Sequence, residues 1–274
     1  NLQDMSTTLG KREKPEGNPE NGVKKQKLID PKEQRTRPTK PDFGPVANRH
    51  RAVMEKAGLE TEKMIELRHH FHKYPEGGFK EFNTQKKIKE TLLSFGIPED
   101  DIKVCAETGY YADIKGTGPA SEEGPVKAVA LRTDIDALPI PEENDDLEYK
   151  STTDHAHMCG HDGHMATLLS AAQVFQKNRD KIPSNKFVRL LCQPAEEGPG
   201  GAEPMIKEGC LNGVDEVYGY HNVPNFDTGD IRAIEGYCMA AVTMVNIKII
   251  GQGGHGSTPH KLRDPITAAT MVHQ

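Results

Sequence analysis

From about Ala47 the hydrophobic and polar positions fall into a succession of short periodic runs. In 60–73, ETEKMIELRHHFHK, the residues Met64, Leu67 and Phe71 recur at three- and four-residue spacing, which predicts a helix with one apolar face. A second helix is predicted over 82–95, stopped by Gly96 and Pro98. Short runs of β-branched and apolar residues predict strands at 102–105, 110–114, 126–132, 187–192, 216–220, 230–234 and 241–250. Further helices are expected over 163–177, near Ala202 and from near Asp264. This alternation implies an α/β fold, with a sheet covered by helices on both faces.

Residues 1–46 break the pattern. They hold six of the 19 prolines, few large apolar residues, and ten Lys and Arg against seven Asp and Glu, a composition that predicts a disordered polar arm. The KKQK cluster at 24–27 reads as a solvated basic run, with a nuclear address as the alternative. The chain carries a formal net charge of −6, and without the +3 of the arm the remainder stands at −9. No overall basic field draws it to nucleic acid or an anionic membrane. No apolar run is long enough for a membrane span, and the start lacks the apolar stretch of a signal peptide, so a soluble, cytoplasmic protein is expected. Five scattered cysteines make a poor disulfide framework and fit a reducing compartment. Of these, Cys105, Cys192, Cys210 and Cys238 are expected as small buried apolar residues. The chain begins with Asn1 and stops at Gln274 within a predicted helix, which suggests a fragment.

Chemistry concentrates in four places: HAHMCGHDGHMATLL (155–169), LRTDIDALP (131–139), QPAEEGPGGA (193–202) and GYHN (219–222). The last three lie where predicted strands end, and in α/β sheets ligands collect outside the carboxyl ends of strands. That topology would gather Asp134, Asp136, Cys159, His161, Glu196, Glu197 and His221. Thiolate, imidazole and carboxylate together suit zinc, manganese or cobalt better than calcium. Glu196 and Glu197 are adjacent and cannot easily bind one ion together, so one is read as a ligand and the other as a general base. His155 and His157 are read as flanking the site, and His164 as lying in the first turn of a helix that Asp162 caps. His69, His70 and His72 are read as surface or interhelix histidines. A structural zinc knot is the competing reading, although no C-x-x-C pair occurs.

The motifs RTDIDALP, HMCGHDGH, QPAEEGPGGA, GYHN and GGHGSTPH resemble the amidohydrolase branch of the aminoacylase and carboxypeptidase metallopeptidases, which includes hippurate hydrolase and the indole-acetyl-amino-acid hydrolases. The similarity runs from about Thr61 to the end of the chain. It implies a mixed-sheet catalytic domain of the zinc-peptidase kind over 47–238, binding two divalent ions, with Zn or Mn favoured and Co or Ni as alternatives. It implies that 239–274 begins a smaller α+β lid through which homodimers form. Cys159, His161, Glu197 and His221 are then metal ligands, and Glu196 is the general base for a metal-activated water. His255, in GGHGSTPH, would help to hold the substrate or its developing oxyanion. For Asp136 the role of orienting a ligand imidazole is inferred. The implied activity is hydrolysis of the amide bond of N-acyl amino acids or amino-acid conjugates. The alternative is a regulatory relative that binds such molecules without cleaving them, because the family supplies a further ligating histidine from a later segment that this sequence does not contain.

Overall fold

The computed structural model describes residues 44–125, 127–227 and 229–273, so most of the N-terminal arm, including KKQK, lies outside the described residues. Three helices open the described chain: α1 (Gly44–Lys56), α2 (Thr61–Lys73) and α3 (Phe82–Ser94). The periodicity locates α2 and α3 to within a residue or so. It does not signal α1, an exposed helix whose polar residues pair locally, as Arg51 does with Glu55. The strands are β1 (Ile102–Cys105), β2 (Gly109–Lys115), β3 (Ala128–Asp134), β4 (Phe187–Gln193) and β5 (Glu216–Gly219). Between β3 and β4 runs α4 (His161–Lys177), and between β4 and β5 lies α5 (Ala202–Lys207).

The sheet order is β1-β2-β4-β3-β5. β3 is parallel to both β4 and β5, while β1 and β2 continue the sheet antiparallel, so the sheet is mixed. Parallel neighbours need a crossover, and α4 supplies it between β3 and β4. One face of the sheet packs against α2, α3 and α4 through Phe71, Ile88, Leu92, Met165, Leu169, Ile114 and Leu190. The other face is covered by Met205 of α5 and by Cys210, which meet Ala130, Leu191 and Cys105. Central β4 is buried almost throughout, its apolar run interrupted by Arg189, whose guanidinium pairs with Asp113.

Two sequence expectations require correction. The strands predicted at 230–234 and 241–250 do not form among the described residues, and Val242 and Ile250 are exposed. Alternating polarity provides a face, but a strand also needs a neighbour for its N–H and C=O groups, and nothing described pairs with this segment. Cys238 is exposed with it, unlike Cys105, Cys192 and Cys210, which are buried. The expected helix near Asp264 is α6 (Pro265–His273).

Of the three histidines on α2, His72 is the interhelix one. Its Nδ1 lies 2.7 Å from Asp162 of α4 and its Nε2 3.2 Å from Glu142. The hydrogen bond to Asp162 outweighs burial and, with Glu142, raises the His72 pKa above its ordinary value. His72 therefore holds its proton more tightly folded than unfolded, and this contribution is complete below about pH 6.5. It is lost as pH rises through the raised folded value. His72→Asn, which keeps a neutral donor but cannot titrate, should be less stable than the parent by about 1–2 kcal/mol at pH 6. Denaturant melts from pH 6 to 9 should show that gap closing, and a gap independent of pH would contradict the linkage.

Candidate metal centre

The carboxyl ends of three parallel strands meet the N-terminus of α4. Asp134 ends β3 and Asp136 follows it; Glu196 and Glu197 follow β4; His221 follows β5; and Cys159 and His161 flank the start of α4. The helix begins at His161, earlier than its apolar periodicity suggests, because Gly160 turns the chain in the left-handed region with φ 87°. A Cβ at Gly160 would lie 2.6 Å from the Asn222 amide nitrogen, so glycine is needed there for space as well as for conformation. Asp162 does not cap the helix from outside. It lies inside the first turn, where its carboxylate accepts the Gly163 N–H at 2.8 Å and pairs with Arg68 and His72.

Both candidate ligand imidazoles are held in the same tautomer. His161 donates its Nδ1–H to the Asp136 carbonyl at 2.9 Å, and His221 donates its own to the Asn222 carbonyl at 2.6 Å. Each Nε2 lone pair is thereby left for something else. His161 is 1% exposed, and its Nε2 has no hydrogen-bond partner. That nitrogen lies 3.7 Å from Glu197 Oε1, 3.9 Å from Glu196 Oε2 and 3.5 Å from Asp134 Oδ2. His221 Nε2 lies 3.4 Å from Cys159 Sγ. Donor atoms of Cys159, His161 and Glu197 all fall within 4.8 Å of one another.

The electrostatics call for positive charge. Burial first, then the Glu197 hydrogen bond and the negative charges of Glu197, Glu196 and Asp134, push the Cys159 thiol up to about 12. Asp134 is held down to about 2: burial works against its ionisation, but the His164 hydrogen bond and the charges of His161 and Arg132 overcome it. A divalent ion among these groups would neutralise the carboxylates and favour the thiolate, inverting the local preference. A buried imidazole nitrogen without a partner, beside a thiol and carboxylates, fits a borderline ion such as zinc.

Asp134, His161 and His164 also lie within 4.8 Å of one another, but His164 is already engaged at both nitrogens. Its Nδ1 donates to Asp134 at 2.7 Å and its Nε2 accepts the Asn222 N–H at 2.9 Å. With Asn222 Nδ2 bonded to the Gly160 carbonyl at 3.0 Å, this locks the His221 segment onto α4. The sequence signal for this role is the spacing: His164 follows His161 by one helical turn and so shares its face. His157 is buried with neither nitrogen partnered, while His155 bonds Asp154. His255 lies in an exposed turn with its Nδ1 2.8 Å from Ser257 Oγ, and no hydrogen bond or ion pair joins it to the two glutamates among the described residues.

Comparison with known proteins gives this geometry a lineage. The sequence profile of Peptidase family M20/M25/M40 matches residues 130–270, which include every residue gathered above. The chain is 44% identical over 212 residues to thermostable carboxypeptidase 1 of Saccharolobus solfataricus, an alignment covering 76% of this chain and 51% of that protein. It is 43% identical over 213 residues to N-acetyl-L-cysteine deacetylase of Bacillus subtilis, covering 77% and 48%. It therefore spans about half the length of these curated relatives. Its structure is similar to the crystal structure of a dinuclear metal-binding peptidase of the M20 family from Bacillus subtilis, with a TM-score of 0.53 and 35% identity over 60% of this chain and 44% of that one. The chain belongs to peptidase family M20/M25/M40.

Proposed function

We propose that this protein is a metal-dependent amidohydrolase that cleaves the amide bond of N-acyl amino acids or amino-acid conjugates. The observation that carries the reading is the pair of imidazoles whose Nδ1 atoms bond backbone carbonyls, which turns their Nε2 atoms toward a thiol and two adjacent glutamates. In this reading Cys159, His161, Glu197 and His221 hold two divalent ions, with zinc or manganese favoured and cobalt or nickel also suited to the donors. Bound there, such ions supply Lewis acidity, which lowers the pKa of a water toward about 7 and polarises the scissile carbonyl.

The remaining work falls to side chains. Glu196, with its carboxylate open to solvent, takes the proton of the attacking water and later delivers it to the leaving nitrogen. Asp136 and Asn222 keep the ligand imidazoles in the required tautomer through their carbonyls. His255 reaches the substrate from the segment 239–274, which in this reading begins a lid through which two copies pair. Two relatives, a carboxypeptidase and an N-acetyl-L-cysteine deacetylase, support an amide flanked by an amino-acid carboxylate as the substrate class. Among the described residues no helix is long and apolar enough to cross a membrane.

The test is hydrolysis of a panel of N-acetyl and N-benzoyl amino acids and dipeptides by the gene product, before and after chelation. Release of free amino acid that stops with chelator and returns with zinc or manganese is the expected outcome. Binding of the same compounds without release would favour the regulatory alternative.

A further inference from the structure

The two glutamates rest on an elbow whose backbone is unusual. Ala195, immediately before Glu196, adopts φ 49°, a left-handed conformation that residues with a Cβ rarely occupy. It is fully buried, so water cannot satisfy its backbone. Its carbonyl accepts the N–H groups of Gly200 and Gly201 at 3.1 and 3.3 Å, which closes the turn. Its own N–H points at a side chain far away in sequence: Glu81, whose Oε1 accepts it at 2.9 Å. The other Glu81 oxygen accepts the Thr108 hydroxyl at 2.5 Å.

Glu81 is itself fully buried, although it precedes α3, where a carboxylate would ordinarily cap the helix in water. That duty is met elsewhere, since Glu76 accepts the Asn83 and Thr84 N–H groups of the first turn. Gly78 packs so close that a Cβ there would lie 2.9 Å from the Ala195 Cβ. One residue past Glu196, the Glu197 N–H is accepted by Asp136 Oδ2 at 2.9 Å. The elbow is thus gripped on both sides of Glu196, by Glu81 just before α3 and by Asp136 just after β3.

We propose that Glu81 is a positioning residue for catalysis: by accepting the Ala195 N–H it holds the left-handed elbow that aims Glu196 and Glu197 into the site. The assignment rests on the reading of Glu196 as base for its catalytic consequence, but the clamp itself can be tested independently. In Glu81→Ala, the Ala195 N–H loses its buried partner and the elbow relaxes. Amide hydrogen exchange in peptides covering 194–201 should quicken while α4 and β4 keep their protection. In the metal-loaded gene product kcat should fall about 10- to 100-fold with KM little changed, as expected when a reacting group is displaced by about an ångström. Glu81→Gln, which keeps an acceptor in the same place, should restore slow exchange at the elbow and recover at least about a third of kcat. If Glu81→Ala does not fold, the glutamine variant and Thr108→Val, which frees one Glu81 oxygen, carry the test, with elbow exchange intermediate in the latter.

Unchanged elbow exchange in folded Glu81→Ala overturns the clamp, and so does a glutamine variant as loose as the alanine one. Altered exchange with full kcat overturns the positioning role. An active Glu196→Gln enzyme overturns the base assignment instead, whatever the exchange data show.

Discussion

Glu196→Gln is expected to retain its full complement of metal and to lose about a thousandfold in kcat, the size of effect associated with removing a general base. The side chain is 41% exposed, so an amide there costs the fold little. What the amide cannot do is accept a proton from water or return one to the leaving nitrogen. The neighbouring residue provides the contrast. Glu197 lies slightly nearer the unpartnered His161 nitrogen, at 3.7 against 3.9 Å, and Glu197→Gln should weaken metal retention first and turnover as a consequence. Steady-state kinetics alongside metal analysis separates the two. A Glu196→Gln enzyme within about tenfold of the parent would place the base elsewhere.

His161→Ala and Cys159→Ala should each lower metal affinity by more than about 100-fold, since loss of a mere hydrogen-bond partner of a ligand already costs 10- to 100-fold. His161 is the stronger case, because its Nε2 lies buried with no protein partner and with carboxylates on several sides. Stripped of metal, Cys159 should react slowly with thiol reagents, because burial and the surrounding carboxylates then hold it as a thiol near 12. Cys192, buried in the sheet away from these groups, serves as the control, and Cys192→Ala should leave metal content unchanged. Competition with a chromophoric chelator reads all three variants. Equal retention by His161→Ala and the parent would exclude His161 as a ligand.

The sequence made the site legible because its parts lie at strand ends, where topology rather than local pattern brings them together. Apolar runs locate β3, β4 and β5, and the polar residues just beyond each one can then be assigned to a common edge. What stayed hidden were partnerships between residues distant in sequence. Glu81 reads as an ordinary charged residue before a helix, and only the fold, which brings the start of α3 to the residues after β4, shows that it bonds Ala195. The tautomers of His161 and His221 likewise depend on backbone carbonyls, which leave no trace in side-chain patterning. His72 carried the opposite ambiguity: in the run HHFHK one histidine of three turns inward, and only the proximity of Asp162 and Glu142 selects it. The segment 230–250 shows the limit of periodicity, since the alternation in VTMVNIKII is present but no described strand pairs with it.

The central claim is that Cys159, His161, Glu197 and His221 form a two-ion site, and the most direct measurement is elemental analysis of the purified protein after dialysis, counting Zn, Mn, Co and Ni per chain. About two ions per chain, reduced sharply by His161→Ala, is the predicted result. Essentially no bound ion in a folded protein that was supplied with zinc and manganese would contradict the account.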